Sequence, residues 1–509
     1  MRILRHIITI SGFTFMSRIF GLVREIMIAR FLGASLVTDA FFVAFKFPNF
    51  FRRIFAEGAF NAAFVPLISR KLVSEGRDQA KVLAEVVFSV MLAFLTVFVL
   101  LVVIFTPAII HVLAPGFATT PERLDLAITF TRITFPYILF ISLAAHLSGV
   151  LNSFDRFAAA AGVPILLNIV MILSLLICPY VDLSYGVGLS IAVVVAGIVQ
   201  LLWLYLACWR MDFRIRLRWP RLTPDVKELL RLMVPGAIGA GVMNINLFVD
   251  TILASFLPEK SVSYIFYADR LNQLPLSIFG IAVGTALLPL LSRQLKAGEY
   301  EKAIRNKLLA TDVALQLTIP AAVGLIMLSY PLIHIIYGMS FSDTQATARA
   351  LAAFAIGIPA YVLNKVFVTG FFARQDTRTP VKIAIGCIFL NLFLNLTLMG
   401  YLGHIALALS TSLSAWANTI ALYGVLKKRE WFALSRGVKL TCLKIIFISM
   451  MIGGILWQLE DAYDPCCMTK WQELTYVATQ VGIGIATYVL LGVILKIIDI
   501  SRVKAALGR

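Results

Sequence analysis

Residues 86–110 read VVFSVMLAFLTVFVLLVVIFTPAII, a run without one charged side chain. About 20 apolar residues suffice for an α-helix to cross the hydrocarbon core of a bilayer. In that medium the backbone must satisfy its own N–H and C=O groups, which a helix does within the segment. Residues 82–112 are therefore predicted to be one membrane-spanning helix. The composition generalises the reading. Of 509 residues 60% are hydrophobic and 14% are charged, against about 45–50% apolar and about 25% charged in a soluble domain. A soluble globular enzyme is excluded. At about 20 residues a span, the apolar content allows some 14 or 15 spans. An outer-membrane barrel would show alternating segments of about ten residues instead.

Walking outward from that run, spans are predicted near 6–32, 37–69, 82–112, 124–150, 158–178, 186–208, 226–256, 261–292, 306–336, 346–372, 381–402, 405–426, 440–458 and 473–497. The expected fold is an all-α, polytopic membrane protein with 14 transmembrane helices. The net charge of +18 does not point to nucleic acid, because most Lys and Arg fall in short loops between apolar runs. The loops alternate. One set is basic, holding groups such as Arg70, Lys71 and Arg77, Arg210 to Arg221, Arg374 and Arg378, and Lys427, Lys428 and Arg429. The other set carries only Arg123, Lys260 and Lys470, with acids such as Asp182 and Asp464. Cytoplasmic loops carry the Lys/Arg excess, so both termini are expected in the cytoplasm. The basic N-terminus lacks a small-residue cleavage site and reads as a retained first helix. Cys178, Cys208, Cys387 and Cys442 lie in or beside spans, and Cys466–Cys467 in a polar loop. No CxxC occurs, so the cysteines read as small residues without a metal or redox role.

The chain is internally duplicated. Phe64-Val65-Pro66-Leu67-Ile68-Ser69-Arg70 returns as Leu287-Leu288-Pro289-Leu290-Leu291-Ser292-Arg293, an offset of 223. Asn49 matches Asn272, and Asn168 matches Asn391, at the same offset. Two parallel six-helix repeats plus two C-terminal helices are expected, divided as 1–220, 221–430 and 431–509. Parallel repeats are related by an axis along the membrane normal, and transporters built this way rock around a central site.

Charged residues inside spans cost about 2.5–3.5 kcal/mol each at a helix centre and face a cavity or a partner. Helix one carries Arg18, Arg24, Glu25 and Arg30. Ser11, Arg18 and Glu25 are seven apart and share a face, with Arg24 off it. Helix two carries Asp39, Lys46, Arg52, Arg53 and Glu57. Pro48 kinks it, which leaves open whether Arg52 or Arg53 points inward. Helix eight adds Ser263, Tyr267, Asp269 and Arg270, and helix ten adds Lys365. Cations outnumber nearby anions and come from both halves. A cationic cavity calls for an anion, and the planar guanidinium fork suits phosphate or carboxylate. A second constellation, Asp250, Asn391, Asn395 and Thr411, offers oxygen ligands for a hard cation such as Na⁺. Its alternative is hydrogen-bonded glue between helices, about 0.6 kcal/mol a contact. The five histidines are scattered. No P-loop, nucleotide fingerprint or GxSxG is present, so the chain reads as a transporter rather than an enzyme.

The stretch Thr38-Asp39-Ala40-Phe41-Phe42-Val43-Ala44-Phe45-Lys46-Phe47-Pro48-Asn49, continued by Arg52-Arg53-Ile54-Phe55-Ala56-Glu57-Gly58-Ala59-Phe60, resembles the MurJ (formerly MviN) family of bacterial lipid II flippases. So do Ser17-Arg18 with Gly21 and Arg24, Tyr267-Ala268-Asp269-Arg270-Leu271, and Arg374-Gln375-Asp376-Thr377-Arg378-Thr379-Pro380. That family belongs to the multidrug/oligosaccharidyl-lipid/polysaccharide (MOP) exporter superfamily. The resemblance implies two six-helix lobes forming a V-shaped cavity, and a groove on the last two helices for a polyprenyl tail. It implies transfer of lipid II, the undecaprenyl-diphosphate-linked peptidoglycan precursor, across the bacterial inner membrane. The family's functional arginines fall on Arg18, Arg24, Arg52 and Arg270, and its other sensitive positions on Asp39, Glu57 and Ser263. Lys46 lies seven residues from both Asp39 and Arg53, in one polar stripe of helix two. The resemblance thus selects Arg52 over Arg53. Some members hold sodium between helices seven, eleven and twelve; Asp250, Asn391 and Thr411 match that pattern, but Asn395 stands where it has Asp. The expected partners are lipid II, membrane lipids and proteins of cell-wall synthesis or division, and no nucleic acid. The nearest rival is an exporter of another lipid-linked glycan, such as an O-antigen unit. A polyprenyl-phosphate glycosyltransferase would need acidic residues in a sizeable extramembrane loop, and the loops here are short and basic.

Overall fold

A computed structural model describes the backbone of residues 2–52, 59–460, 463 and 468–497, and their side chains except at 2–8, 59, 237–247, 277–286 and 460. Glu57, Arg53, Cys466 and Cys467 lie outside the described residues. The described chain is a succession of α-helices: α1 Arg2–Leu32, α2 Leu36–Arg52, α3 Ala59–Ser74, α4 Gly76–Leu113, α5 Pro121–Thr134, α6 Tyr137–Ser153, α7 Phe157–Ile177, α8 Tyr185–Trp209 and α9 Pro224–Ser255. It continues with α10 Ser261–Lys296, α11 Tyr300–Met327, α12 Ser329–Tyr337, α13 Phe341–Ala355, α14 Ile358–Phe372, α15 Arg378–Leu402, α16 His404–Lys428, α17 Arg436–Glu460 and α18 Lys470–Ile494.

Among the described residues each predicted span falls on helix, and three spans are interrupted there. Between α5 and α6, Pro136 has no N–H, and the chain tightens to Phe135 O···H–N Ile138 at 3.0 Å. Leu328 separates α11 from α12. Gly357 and Pro359 separate α13 from α14, because proline cannot donate to the preceding turn. The α1–α2 corner is built by Gly33 in the left-handed region (φ +62°). Its N–H closes on Ala29 O at 2.9 Å, the usual end of a helix at glycine. Ser35 Oγ then accepts from Thr38 N–H at 3.2 Å and starts α2.

The protein is a multi-pass membrane protein. Ten helical segments among the described residues are long and apolar enough to cross a bilayer. α1, α2, α9 and α10 are not among them. α4 shows why lipid is the solvent: Phe94, Ile104 and Phe105 are 56%, 64% and 58% exposed, an apolar surface too large for a water-soluble monomer.

The chain divides into two compact units, Met1–Ser263 and Tyr264–Arg509. In the first, α1 packs on α7, α6 and α7 on α8, α2 on α5, and α3 on α9. In the second, α15 and α14 pack on α16, and α11 on α14 and α17. There α17 and α18 cover α11 and α12 through Ile448, Ile452 and Leu456 against Leu328, Leu332, Leu491 and Leu495. An apolar groove of ≈ 400 Å³ remains between these four helices, lined by Pro320, Gly324, Leu328, Ile452, Gly484 and Tyr488 among others.

Candidate functional site

The most elaborate polar structure in the first unit centres on Asp39. Its carboxylate is fully buried and accepts four hydrogen bonds. Arg123 Nη2 donates to Oδ2 at 2.6 Å and the Lys260 N–H to the same oxygen at 2.8 Å. The Ser263 N–H and hydroxyl donate to Oδ1 at 2.8 and 2.5 Å. Lys260 is in the left-handed region (φ +72°), so its N–H can converge with that of Ser263. Helix starts leave such amides without intrahelical partners. Asp39 on α2 therefore caps the first turn of α10, and its negative charge suits that helix end. Arg123 is in turn fixed over the Phe117 ring at 3.8 Å.

Asp39 and Ser263, predicted separately, are thus in direct contact. Arg123 was read as the lone cation of a bare loop; it is the counter-ion. The signal for it was weak: Arg123 stands among Glu122, Asp125 and Arg132 in one short stretch, 84 residues from its partner.

Further along α2, Pro48 leaves the Ala44 carbonyl without an intrahelical N–H. The Thr134 hydroxyl lies 3.5 Å from it. Asn49 Nδ2 donates back to Phe45 O at 2.8 Å, and its Oδ1 accepts from Arg52 Nε at 3.1 Å. Arg52 is thereby held at the kink, half-buried. Lys46 is half-buried too, and its Nζ donates to Thr251 Oγ1 of α9 at 3.4 Å.

On α1 the two arginines differ. Arg18 is exposed. Arg24 is buried; it pairs with Glu25 and donates to Asn168 Oδ1 of α7 at 2.9 Å. Asn168 Nδ2 returns to Ser17 O at 3.0 Å. The expected shared face of Ser11, Arg18 and Glu25 does not share an environment: Ser11 and Arg18 are exposed and Glu25 is buried.

In the second unit, Arg270 is half-buried with its guanidinium 4.6 Å from the Phe266 ring centre. Gln273 Nε2 donates to Asp269 Oδ2 at 2.5 Å. Asn395 Nδ2 donates to Asn391 Oδ1 at 3.0 Å, and Asn391 Nδ2 to Thr411 Oγ1 at 3.4 Å. Both asparagines are buried. This series of neutral bonds ties α15 to α16. As ligands for a hard cation, the three residues are oxygen donors without a carboxylate. Asp250, half-buried on α9, is the one acid of the set. Asn395 brings an amide oxygen where a carboxylate would favour a hard cation. No group of three or more His, Cys, Asp or Glu suited to a metal occurs among the described residues.

Residues 28–480 match the family described as "Lipid II flippase MurJ". The chain belongs to the MurJ family. The probable lipid II flippase MurJ of Rhizobium tropici is 36% identical, over 100% of this chain and 97% of that protein. The lipid II flippase MurJ of Burkholderia cenocepacia is 35% identical over 91% of each. A solved structure of lipid II flippase MurJ in an inward closed conformation superposes with a TM-score of 0.80 at 28% identity, covering 99% of this chain and 100% of that one. A multidrug resistance MATE family transporter of the MOP superfamily shares the fold, with a TM-score of 0.67 at 18% identity over 82% of this chain and 95% of that one. The sequence resemblance to MurJ, read from helix two, is thus met along the whole chain.

Proposed function

We propose that this protein moves lipid II from the cytoplasmic to the periplasmic leaflet by alternating access. Its membership of the MurJ family along the full chain carries the reading. The proposed architecture is 14 spans, with lobes at 1–220 and 221–430, two further helices at 431–509, and both termini cytoplasmic.

Lipid II bears a diphosphate between a polar glycopeptide and a polyprenyl tail, and each part asks for different chemistry. The diphosphate needs cations with several donors, and arginine supplies a planar fork of them. Arg18, Arg24, Arg52 and Arg270 are proposed for this role, with Lys46 beside them and Asp39, Glu57 and Ser263 positioning the helices that carry them. The exposure of Arg18 and the tethering of Arg52 at the Pro48 kink support binding roles for those two. Arg24, committed to Glu25 and Asn168, is proposed to act by fixing α1 on α7 or by exchanging these partners for phosphate. The tail is proposed to lie in the apolar groove between α11, α12, α17 and α18, so that it never enters a polar cavity.

Complementation tests the reading. The resident lipid II flippase of a bacterium is depleted while this chain is expressed, with Arg18→Ala, Arg52→Ala and Arg270→Ala at equal membrane abundance. Rescue by the wild type and loss in the arginine variants is expected. Failure of a well-inserted wild type would instead assign the chain to another polyprenyl-diphosphate-linked glycan. Rescue by all three variants would refute the diphosphate clamp and keep the function.

A further inference from the structure

The internal duplication sets two corners side by side for comparison, one in each unit. In the second unit the chain leaves α14 through Gln375 (φ +61°), and the N–H of the next residue, Asp376, bonds Phe371 O at 3.0 Å. It leaves α16 through Glu430 (φ +57°), and the following Trp431 N–H bonds Leu426 O at 3.0 Å. The first unit repeats both figures. Asp155 (φ +58°) follows α6, and Arg156 N–H bonds Leu151 O at 2.9 Å; Asp212 (φ +55°) follows α8, and Phe213 N–H bonds Cys208 O at 3.1 Å. In this register Arg156 corresponds to Asp376, and Met211 to Arg429.

The second corner is closed by its own charges. Arg429 Nη1 donates to Asp376 Oδ2 at 2.6 Å, and the Thr379 hydroxyl donates to the same oxygen at 2.7 Å. In the first corner the carboxylate position holds an arginine and the arginine position a methionine. There no ion pair joins the two turns; the Phe154 and Phe213 rings meet at 5.3 Å, and Arg77 donates to Met211 O. A pocket of ≈ 320 Å³ is lined by Arg156, Arg210, Met211, Ala158, Ala159 and Trp203 among others. Among the described residues neither the Arg156 nor the Arg210 side chain has a hydrogen-bond or ion-pair partner. Asp155 and Asp212, next to them in sequence, do not line the pocket.

Both side chains are exposed, so their guanidinium forks are free to take an anion from outside. α7 starts at this pocket with no side-chain cap, which adds to the positive potential. The other wall is apolar and belongs to the membrane. Trp203 and Leu206 are each 45% exposed on α8, and the Trp203 ring is fixed by its N–H to Ala159 O at 3.1 Å. Tryptophan at the end of a span marks the headgroup level of a bilayer. Basic pockets between helices at that level recognise acidic lipid headgroups. We infer that this pocket binds the headgroup phosphate of an anionic glycerophospholipid, with the acyl chains lying along α8.

Native mass spectrometry of the full chain, delipidated in detergent and titrated with phosphatidylglycerol, tests the inference. One tight phosphatidylglycerol is expected, with half-saturation at least about tenfold below that of phosphatidylcholine, given charge-assisted bonds from two arginines. Arg156→Gln/Arg210→Gln should lose that preference. Arg156→Asp/Met211→Arg writes the second corner's ion pair into the first. It should also lose the lipid while unfolding at or above the wild-type temperature in lipid-free detergent. Equal phosphatidylglycerol uptake by the wild type and both variants would overturn the site. Displacement of the lipid by millimolar inorganic phosphate would overturn the lipid assignment in favour of a free anion.

Discussion

Replacing Asp39 with asparagine strands a buried guanidinium. Arg123 loses its counter-charge, and the asparagine can turn its oxygen either to Arg123 and Lys260 or to Ser263, not to both sides as the carboxylate does. Removing one partner of a buried ion pair costs about 3–5 kcal/mol, a large share of the roughly 5–15 kcal/mol that holds a typical fold together. Asp39→Asn is therefore expected to lose about 3–4 kcal/mol, and Arg123→Gln a similar amount. The double variant pairs two neutral amides and strands no charge, so its loss should fall short of the sum by about 2 kcal/mol or more. Ser263→Ala removes one hydroxyl bond to a charged acceptor and keeps the N–H bond; it should cost about 1.5–3 kcal/mol. The assay is unfolding in mixed micelles of a mild detergent and dodecyl sulfate, read as free energies for the wild type and the four variants. Additivity of the Asp39 and Arg123 losses within about 0.5 kcal/mol would refute the pairing.

Three further outcomes are expected. Wild-type transport should be unchanged when sodium is replaced by choline, whereas Asn395→Asp should introduce sodium dependence; a sodium-dependent wild type would contradict the donor-set argument. Asp376 lies in the α14–α15 connection, and its hydrogen bond from Thr379, helped by Arg429, holds its pKa down from 3.8 to about 2. A depressed carboxylate stabilises fully above its unfolded pKa and ceases to as pH falls through the folded one. The difference in thermal midpoint between wild type and Asp376→Asn should thus be constant above pH about 4 and shrink towards pH about 2; a difference that grows with acid would refute it. Gly324 has no neighbour within 4 Å of a Cβ position, so Gly324→Leu should fill the groove without strain. Photo-crosslinking of a polyprenyl probe to α17 and α18 should then drop several-fold, and unchanged labelling would place the tail elsewhere.

The helical spans were legible because each is written locally, in some twenty consecutive apolar residues; the breaks at Pro136 and Pro359 were not read, because the apolar runs 124–150 and 346–372 pass straight through them. The pairing of Arg24 with Glu25 is local too, though spacing alone put Glu25 on the face of Arg18. Asp39 shows the limit. Its place inside a span marked it as a charge that needs a cavity or a partner. The partner came from α5, and two of the four donors are backbone amides, whose direction depends on the left-handed Lys260. Neither a period nor a motif encodes that. The two corners behind α6 and α14 were hidden for the same reason: Arg156 and Asp376 correspond through backbone hydrogen bonds, while the sequences around them share little.

The four donors around Asp39 also impose an order in time. Arg123 follows it by 84 residues and Ser263 by 224. At about 5–20 residues per second of synthesis, the counter-ion emerges roughly 4–17 s after the carboxylate and the capped helix start roughly 11–45 s after it. Until then α2 carries an acid that the bilayer centre penalises by about 2.5–3.5 kcal/mol. Its position near the start of α2 lets it wait at the interface. The second helix to be made is thus among the later ones to settle, and a chain truncated before residue 260 would leave it unsettled.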